Sequence, residues 1–201
     1  MAVDRPVAPV PTLNIANIIT FIRILLVPVF VWFFLMGGTG WRLAAAGVFL
    51  LAALTDRLDG YLARSRGLIT DLGKLMDPIA DKALVISALA LLTWDGLVPW
   101  WVTALILIRE FGITFMRMGM RRRAVMAASQ GGKLKTVLQM MFLTGMLVPW
   151  HGFLPAGAAD VLLVICQVLM YLALAVTLVT GLMYVRDAVV LSRTPPPEPG
   201  P

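Results

Sequence analysis

Only one cysteine, Cys166, and one histidine, His151, occur among the 201 residues. A lone cysteine inside an apolar run allows neither a disulfide framework nor a thiolate metal site. Its expected role is a small buried or lipid-facing side chain. A lone histidine allows no His-rich metal centre, and His151, in a turn beside Trp150 and Pro155, reads as an exposed loop residue. Charge is scarce as well. Asp, Glu, Lys and Arg make up 14% of the chain, where a soluble domain carries about a quarter. Short alternating segments of the kind that close a transmembrane barrel are absent. What is present is apolar: 60% hydrophobic residues and a mean hydropathy of +0.88. Long apolar runs alternate with short basic stretches, the profile of a helical membrane protein whose surplus faces lipid. In so apolar a chain the net charge of +6 speaks for membrane topology and anionic lipid, not nucleic acid.

Proline concentrates at both ends, at Pro6, Pro9 and Pro11 and again from Pro195 to Pro201. Residues 1–13 and 191–201 are therefore expected to be disordered tails around one membrane domain, 14–190. The first apolar run carries Arg23 and no convincing small-residue cleavage site, so it reads as an anchored helix and not a cleaved signal. A spanning helix needs roughly 20 residues, and six segments qualify: about 18–36, 43–63, 75–94, 100–118, 134–149 and 161–184. Pro28 is expected to kink the first. Gly37-Gly38-Thr39-Gly40, Asp95-Gly96 and residues 151–157 read as turns. The fold class is thus all-α, with six transmembrane helices. Fifteen of the seventeen Lys and Arg residues fall on one side of these spans, with Arg42 alone on the other and Arg109 inside a span. The positive-inside rule puts both termini and the basic loops in the cytosol. Trp41, Trp94, Trp100, Trp101 and Trp150 cluster at the opposite ends, as interfacial aromatics do.

The chemistry concentrates in residues 55–83, TDRLDGYLARSRGLITDLGKLMDPIADKA. Asp56 and Asp59 are three apart and share a helix face; Asp77 and Asp81 are four apart and share a face of the next helix. Consecutive antiparallel helices let the two pairs converge. The apolar runs 43–55 and 83–94 hold 13 and 12 residues, so each helix reaches spanning length only by including its aspartates, which puts them near headgroup depth. Four carboxylates gathered there repel one another unless cations neutralise them. All-oxygen ligation selects hard cations such as Mg²⁺ or Mn²⁺, and two such metals clamp a pyrophosphate and activate an incoming oxygen. Gly60 and Ala63 lack bulk and leave room for a flat or phosphorylated group. The alternative is an interfacial charge network with Arg57, Arg64, Arg66 and Lys82. That suits any single aspartate better than four at paired spacings among eleven acids. Asp71 falls off both faces and reads as a helix-start residue; Asp95 and Asp160 read as solvated.

A second cluster is basic. Arg109, inside the fourth span, needs an anion or Glu110 as partner. Arg117 follows two turns later on the same face, and Gly132-Lys133-Leu134-Lys135-Thr136 opens the fifth helix, whose amino end favours anions. Arg109, Arg117, Lys133 and Lys135 are candidates for a phosphate pocket. Arg121, Arg122 and Arg123 read as ordinary positive-inside charge.

The run Asp56-x2-Asp59-Gly60-x2-Ala63-Arg64-x8-Gly73-x3-Asp77-x3-Asp81 resembles, without gap or substitution, the signature of the CDP-alcohol phosphotransferase family. Asn14 to Thr20 with Arg23 and Pro28, Asp77-Pro78-Ile79-Ala80-Asp81-Lys82, Ile108-Arg109-Glu110-Phe111 with Arg117, and Gly132 to Thr136 with Gln139 are similar to its phosphatidylglycerophosphate synthase branch. Ala16 departs, where many relatives carry proline. The resemblance implies a bacterial multi-pass cell-membrane enzyme, a homodimer with a cytosolic active site. It implies two Mg²⁺ or Mn²⁺ ions on Asp56, Asp59, Asp77 and Asp81, with Asp81 also the general base. Asp59, Gly60, Ala63 and Arg64 would contact the cytidine diphosphate portion of CDP-diacylglycerol, and Arg109, Arg117, Lys133 or Lys135 the phosphate of glycerol 3-phosphate. Other expectations are the same chemistry on phosphatidylglycerol, as in cardiolipin synthase, or on a phosphoinositol, as in phosphatidylinositol phosphate synthase. From different classes come a divalent-cation transporter, whose site belongs near mid-membrane on broken helices, and a prenyltransferase, whose two aspartate motifs usually lie far apart in the chain.

Overall fold

The computed structural model describes residues 14–65, 70–120 and 130–193. Six α-helices account for nearly all of them: α1 Ile15–Met36, α2 Gly38–Ser65, α3 Asp71–Trp94, α4 Trp100–Met120, α5 Gln130–Leu147 and α6 Ala156–Arg193, with a 3₁₀ turn at Trp150–Gly152. Among the described residues there is no strand, so the all-helical expectation holds. Among the described residues, three stretches are long and apolar enough to cross a membrane, Asn17–Met36, Gly38–Thr55 and Ala156–Val190, and α3 contributes the shorter apolar stretch Lys82–Trp94. Charge interrupts α4 at Arg109, Glu110 and Arg117, and α5 at Lys133 and Lys135. The expected tails lie largely outside the described residues, although α6 runs to Arg193, three residues past the expected boundary at 190.

The chain divides into two compact units at Leu91 and Leu92. In the first, α1 and α2 form a tight hairpin. Gly37 and Gly38 adopt φ of 70° and 78°, left-handed conformations that cost a glycine little and an L side chain much. Because the reversal needs so few residues, α2 starts at Gly38, not near residue 43. This corrects the expected turn over residues 37–40, and Gly38–Thr55 by itself is long and apolar enough to be a candidate span without the aspartates. The seam is aromatic against small: Phe30 and Phe34 of α1 meet Ala45, Ala46, Phe49 and Ala52 of α2 in the buried core, with Phe30 and Phe49 ring centroids 5.6 Å apart. Arg42 lies 4.1 Å over the Phe34 ring, a cation–π contact that settles it on the hairpin. Below the aromatic layer the same face of α1 turns polar, with Asn14, Asn17, Thr20 and Arg23 all buried. Pro28 lies inside α1, and the helix continues through it.

In the second unit Gly96, at φ 75°, closes the end of α3, and its N–H bonds Thr93 O at 3.1 Å. The Thr93 and Thr103 hydroxyls meet at 2.6 Å across the turn into α4. Helix α6 packs on both α4 and α5. Its buried positions, among them Cys166, Met170, Ala173, Thr177, Thr180 and Tyr184, recur every three and four residues, the spacing of knobs-into-holes packing. Gly145 of α5 faces Cys166: a Cβ at 145 would collide with the Cys166 sulfur. Cys166 is buried, as expected. The 3₁₀ turn leaves His151 exposed, also as expected, but pairs it with Asp160 at 2.9 Å, a contact between residues nine apart that the sequence does not announce. Asp71 is the first residue of α3.

Overpacking a helix seam costs about 1–3 kcal/mol, against roughly 1 kcal/mol gained when Gly becomes Ala in a helix. Gly145→Ala is therefore expected to lower the Tm of the detergent-solubilised protein, and Gly145→Ala with Cys166→Ala to recover it. Equal melting of wild type and Gly145→Ala would remove the close approach of α5 and α6.

Candidate functional site

The signature residues occupy two helices. Asp56, Asp59, Gly60, Ala63 and Arg64 all lie on α2, which stays helical through Ser65. Gly73, Asp77 and Asp81 lie in the first three turns of α3. Unbroken helix at these positions is what puts residues three or four apart on one face. The side chains of Asp56, Asp59, Ala63, Arg64, Asp77, Asp81 and Arg117 lie outside the described residues, as do residues 66–69 between the two helices. In the sequence, the uncharged run of α2 is 43–55 and that of α3 is 83–94, so each aspartate pair adjoins the uncharged run of its helix.

The polar face of α1 contributes a support that spacing alone did not reveal. The Asn14 side chain caps α1, accepting the Asn17 backbone N–H at 3.0 Å. The Asn17 amide Nδ2 donates to the Thr70 hydroxyl at 2.7 Å, and the bond is buried. Thr70 immediately precedes α3, so the start of α1 is tied to the start of the helix that carries Asp77 and Asp81. The sequence signal was there: Asn14, Asn17, Thr20 and Arg23 recur every three residues ahead of the apolar part of the helix.

In the second unit the basic candidates sort themselves. The buried face of α4 runs Val102, Ile106 and Ile113, and Arg109 and Glu110 fall between the last two on that side. Arg109 is held on three edges. Its Nε donates to Thr177 O at 3.2 Å, one terminal nitrogen to the Thr180 hydroxyl at 3.1 Å, and the other to Glu110 Oε1 at 3.3 Å. Lys135 Nζ also pairs with Glu110 Oε1. The side chains of Arg109 and Lys135 are only 11% and 10% exposed. Tyr184 presents its ring 6.0 Å from the guanidinium carbon, and Gly181 gives the Arg109 stem its room, since a Cβ there would lie 3.1 Å from Arg109 Cγ. The expectation that Arg109 needs Glu110 is met. Arg109 and Lys135 come together, while Lys133 does not join them. Two residues are about 200° around a helix, so Lys133 is exposed while Lys135 continues the buried row of Gln139, Phe142 and Met146. The α6 partners Thr177, Thr180, Gly181 and Tyr184 went unread. Their polar and small side chains at three- and four-residue spacing in an apolar helix were the available clue.

A double-mutant cycle tests the α1 support. Asn17→Ala and Thr70→Val are each expected to destabilise the protein, with a coupling of about 1 kcal/mol in thermal melts. Additive losses would mean that the hydrogen bond contributes nothing.

Comparison with known proteins agrees with this arrangement. The family model for CDP-alcohol phosphatidyltransferase matches residues 13–179, from the cap of α1 into the part of α6 that holds Arg109. A probable phosphatidylglycerophosphate synthase of Mycobacterium tuberculosis (strain ATCC 25618 / H37Rv) is 43% identical over 178 residues, covering 87% of this chain and 81% of that one. Two proteins named CDP-diacylglycerol--glycerol-3-phosphate 3-phosphatidyltransferase are also similar. That of Escherichia coli (strain K12) is 40% identical over 140 residues, 67% of this chain and 76% of its own. That of Bacillus subtilis (strain 168) is 36% identical over 149 residues, 67% and 77%. With a match this long, the chain belongs to the CDP-alcohol phosphatidyltransferase family.

Proposed function

We propose that this enzyme transfers the phosphatidyl group of CDP-diacylglycerol to sn-glycerol 3-phosphate, giving phosphatidylglycerophosphate and CMP. The observation that carries the reading is the pair of aspartate couples at helical spacing on α2 and α3, each adjoining the uncharged run of its helix in the sequence. The names of the Escherichia coli and Bacillus subtilis relatives support the choice of acceptor. The working form is a homodimer in a bacterial cell membrane. Each chain spans six times, with both termini and the active site on the cytosolic side, as the distribution of Lys and Arg argues.

Asp56, Asp59, Asp77 and Asp81 would hold two Mg²⁺ or Mn²⁺ ions. An all-carboxylate donor set fits such hard cations, which supply charge neutralisation at a pyrophosphate when bound. Gly60 and Ala63 leave space for the cytidine diphosphate portion, which Asp59 and Arg64 also contact. Arg109, Arg117, Lys133 and Lys135 supply positive charge for the acceptor's phosphate. Asp81 takes the proton of the acceptor hydroxyl. The freed oxygen bonds to the lipid-side phosphorus as the bond from that phosphorus to the CMP oxygen breaks, and Arg64 stabilises the charge that CMP carries away.

Purified protein given CDP-diacylglycerol and Mg²⁺ is expected to release CMP with glycerol 3-phosphate, and not with phosphatidylglycerol or inositol phosphate. Chelation should stop the reaction. Release with either of the other acceptors instead would reassign the substrate, and metal-dependent transport without CMP would make the protein a transporter. Asp81→Asn should lower turnover by at least about 10²–10⁴-fold, the usual worth of a general base, in a protein that still inserts and melts normally. Retained turnover would strip Asp81 of that role.

A further inference from the structure

The cluster around Glu110 has a charge balance that ordinary structural pairing does not explain. One carboxylate oxygen, Glu110 Oε1, accepts from both Arg109 and Lys135. The remaining partners of Arg109, the Thr177 carbonyl and the Thr180 hydroxyl, are neutral. Among the described residues, two cations thus meet one anion on side chains that are about nine-tenths enclosed in an otherwise apolar packing. Burying a lone cation needs one carboxylate, not a second cation beside it. Counted over the described residues alone, the cluster carries one more positive than negative charge in a poorly solvated place, which an arriving anion relieves.

The donors are also only partly used. A guanidinium has five N–H groups and an ammonium three; the contacts above employ three and one. Their orientation is built in, because the guanidinium is fixed on separate edges by α4 and by α6, and its stem packs so close to Gly181 that a Cβ there would crowd Arg109 Cγ at 3.1 Å. Fixed, convergent donors with surplus positive charge suit a phosphate monoester, whose dianion accepts several charge-assisted hydrogen bonds. A phosphodiester carries one charge fewer and two esterified oxygens, and satisfies the cluster less well.

We propose that Glu110 is a positioning residue: it holds Arg109 and Lys135 side by side as a preformed receptor for the phosphate monoester of the acceptor, at a depth that Gly181 sets. This deepens the acceptor reading above and rests on it. Glu110 touches no reacting atom; it acts through the two cations, which would otherwise repel each other and separate.

The test uses the purified full-length enzyme and two kinds of readout. Glu110→Gln is expected to raise KM for glycerol 3-phosphate at least tenfold while leaving KM for CDP-diacylglycerol within twofold, with Glu110→Asp recovering part of the loss. Titration with inorganic phosphate should show the same tenfold weakening without any turnover. Gly181→Ala, which keeps every charge and displaces only the Arg109 stem, should reproduce the acceptor-selective effect, and it decides the matter if Glu110→Gln does not fold. Unchanged phosphate binding, tighter phosphate binding, or an equal rise in both KM values would each overturn the proposal. Tighter binding would make Glu110 a competitor of the anion and not its organiser. If the wild type binds phosphate but does not use glycerol 3-phosphate, the proposed reaction falls, while the comparison of phosphate affinities still decides the role of Glu110.

Discussion

The Arg109 guanidinium lies midway along an apolar helix, where an ionised side chain is expensive unless charge and hydrogen bonds meet it on the spot. Glu110 meets it from the next position on α4, Thr177 and Thr180 meet it from α6, and Lys135 shares its carboxylate from α5. Three helices are thereby fixed around one polar point. The apolar packing on either side of that point, including the close approach of Gly145 to Cys166, follows from holding α6 against both neighbours. The Arg109 cluster follows a general rule, by which charge among apolar helices is tolerated inside a satisfied cluster or at the limit of an apolar stretch.

The first unit obeys it by position. The uncharged runs 43–55 of α2 and 83–94 of α3 adjoin the two aspartate pairs in the sequence. The proposed reaction has a physical need for this arrangement, since it joins a lipid to a water-soluble phosphate ester, and the two can meet only where hydrocarbon gives way to water. Carboxylates deeper in the helices would resist ionisation; carboxylates well outside would be far from the lipid's pyrophosphate. The two-glycine reversal at Gly37 and Gly38 lets α2 begin directly after α1, at Gly38.

Polar helix faces carry the supporting work in both units. Asn14, Asn17, Thr20 and Arg23 on α1, and Thr177 and Thr180 on α6, interrupt apolar seams at regular spacing. Each polar group displaces a side chain that would have packed well, which destabilises unless a partner satisfies it. The Asn17–Thr70 bond and the Thr180–Arg109 bond are such partners. They tie a helix to the start of α3 in one unit, and to a buried cation in the other.

Much of this was legible in the order of residues. Hydropathy separated the helices, because a lipid-facing surface demands apolar residues all around a helix. The spacing of Asp56, Asp59, Asp77 and Asp81 on continuous helix underlies the chemistry proposed above, because a helix converts intervals of three and four into a shared face. The start of α2 was misjudged, since Gly-Gly-Thr-Gly reads as a loop until the backbone shows that two left-handed glycines suffice for the reversal. Which cations belong together was beyond the chain's one-dimensional order: Lys133 and Lys135 look equivalent there, and the turn of α5 exposes one and buries the other. The partners of Arg109 on α6 lie 68 and 71 residues away. Local sequence dictates what a helix is and which face is apolar, through propensity and period. Contacts across such separations are settled by packing, because only the folded chain decides which faces touch.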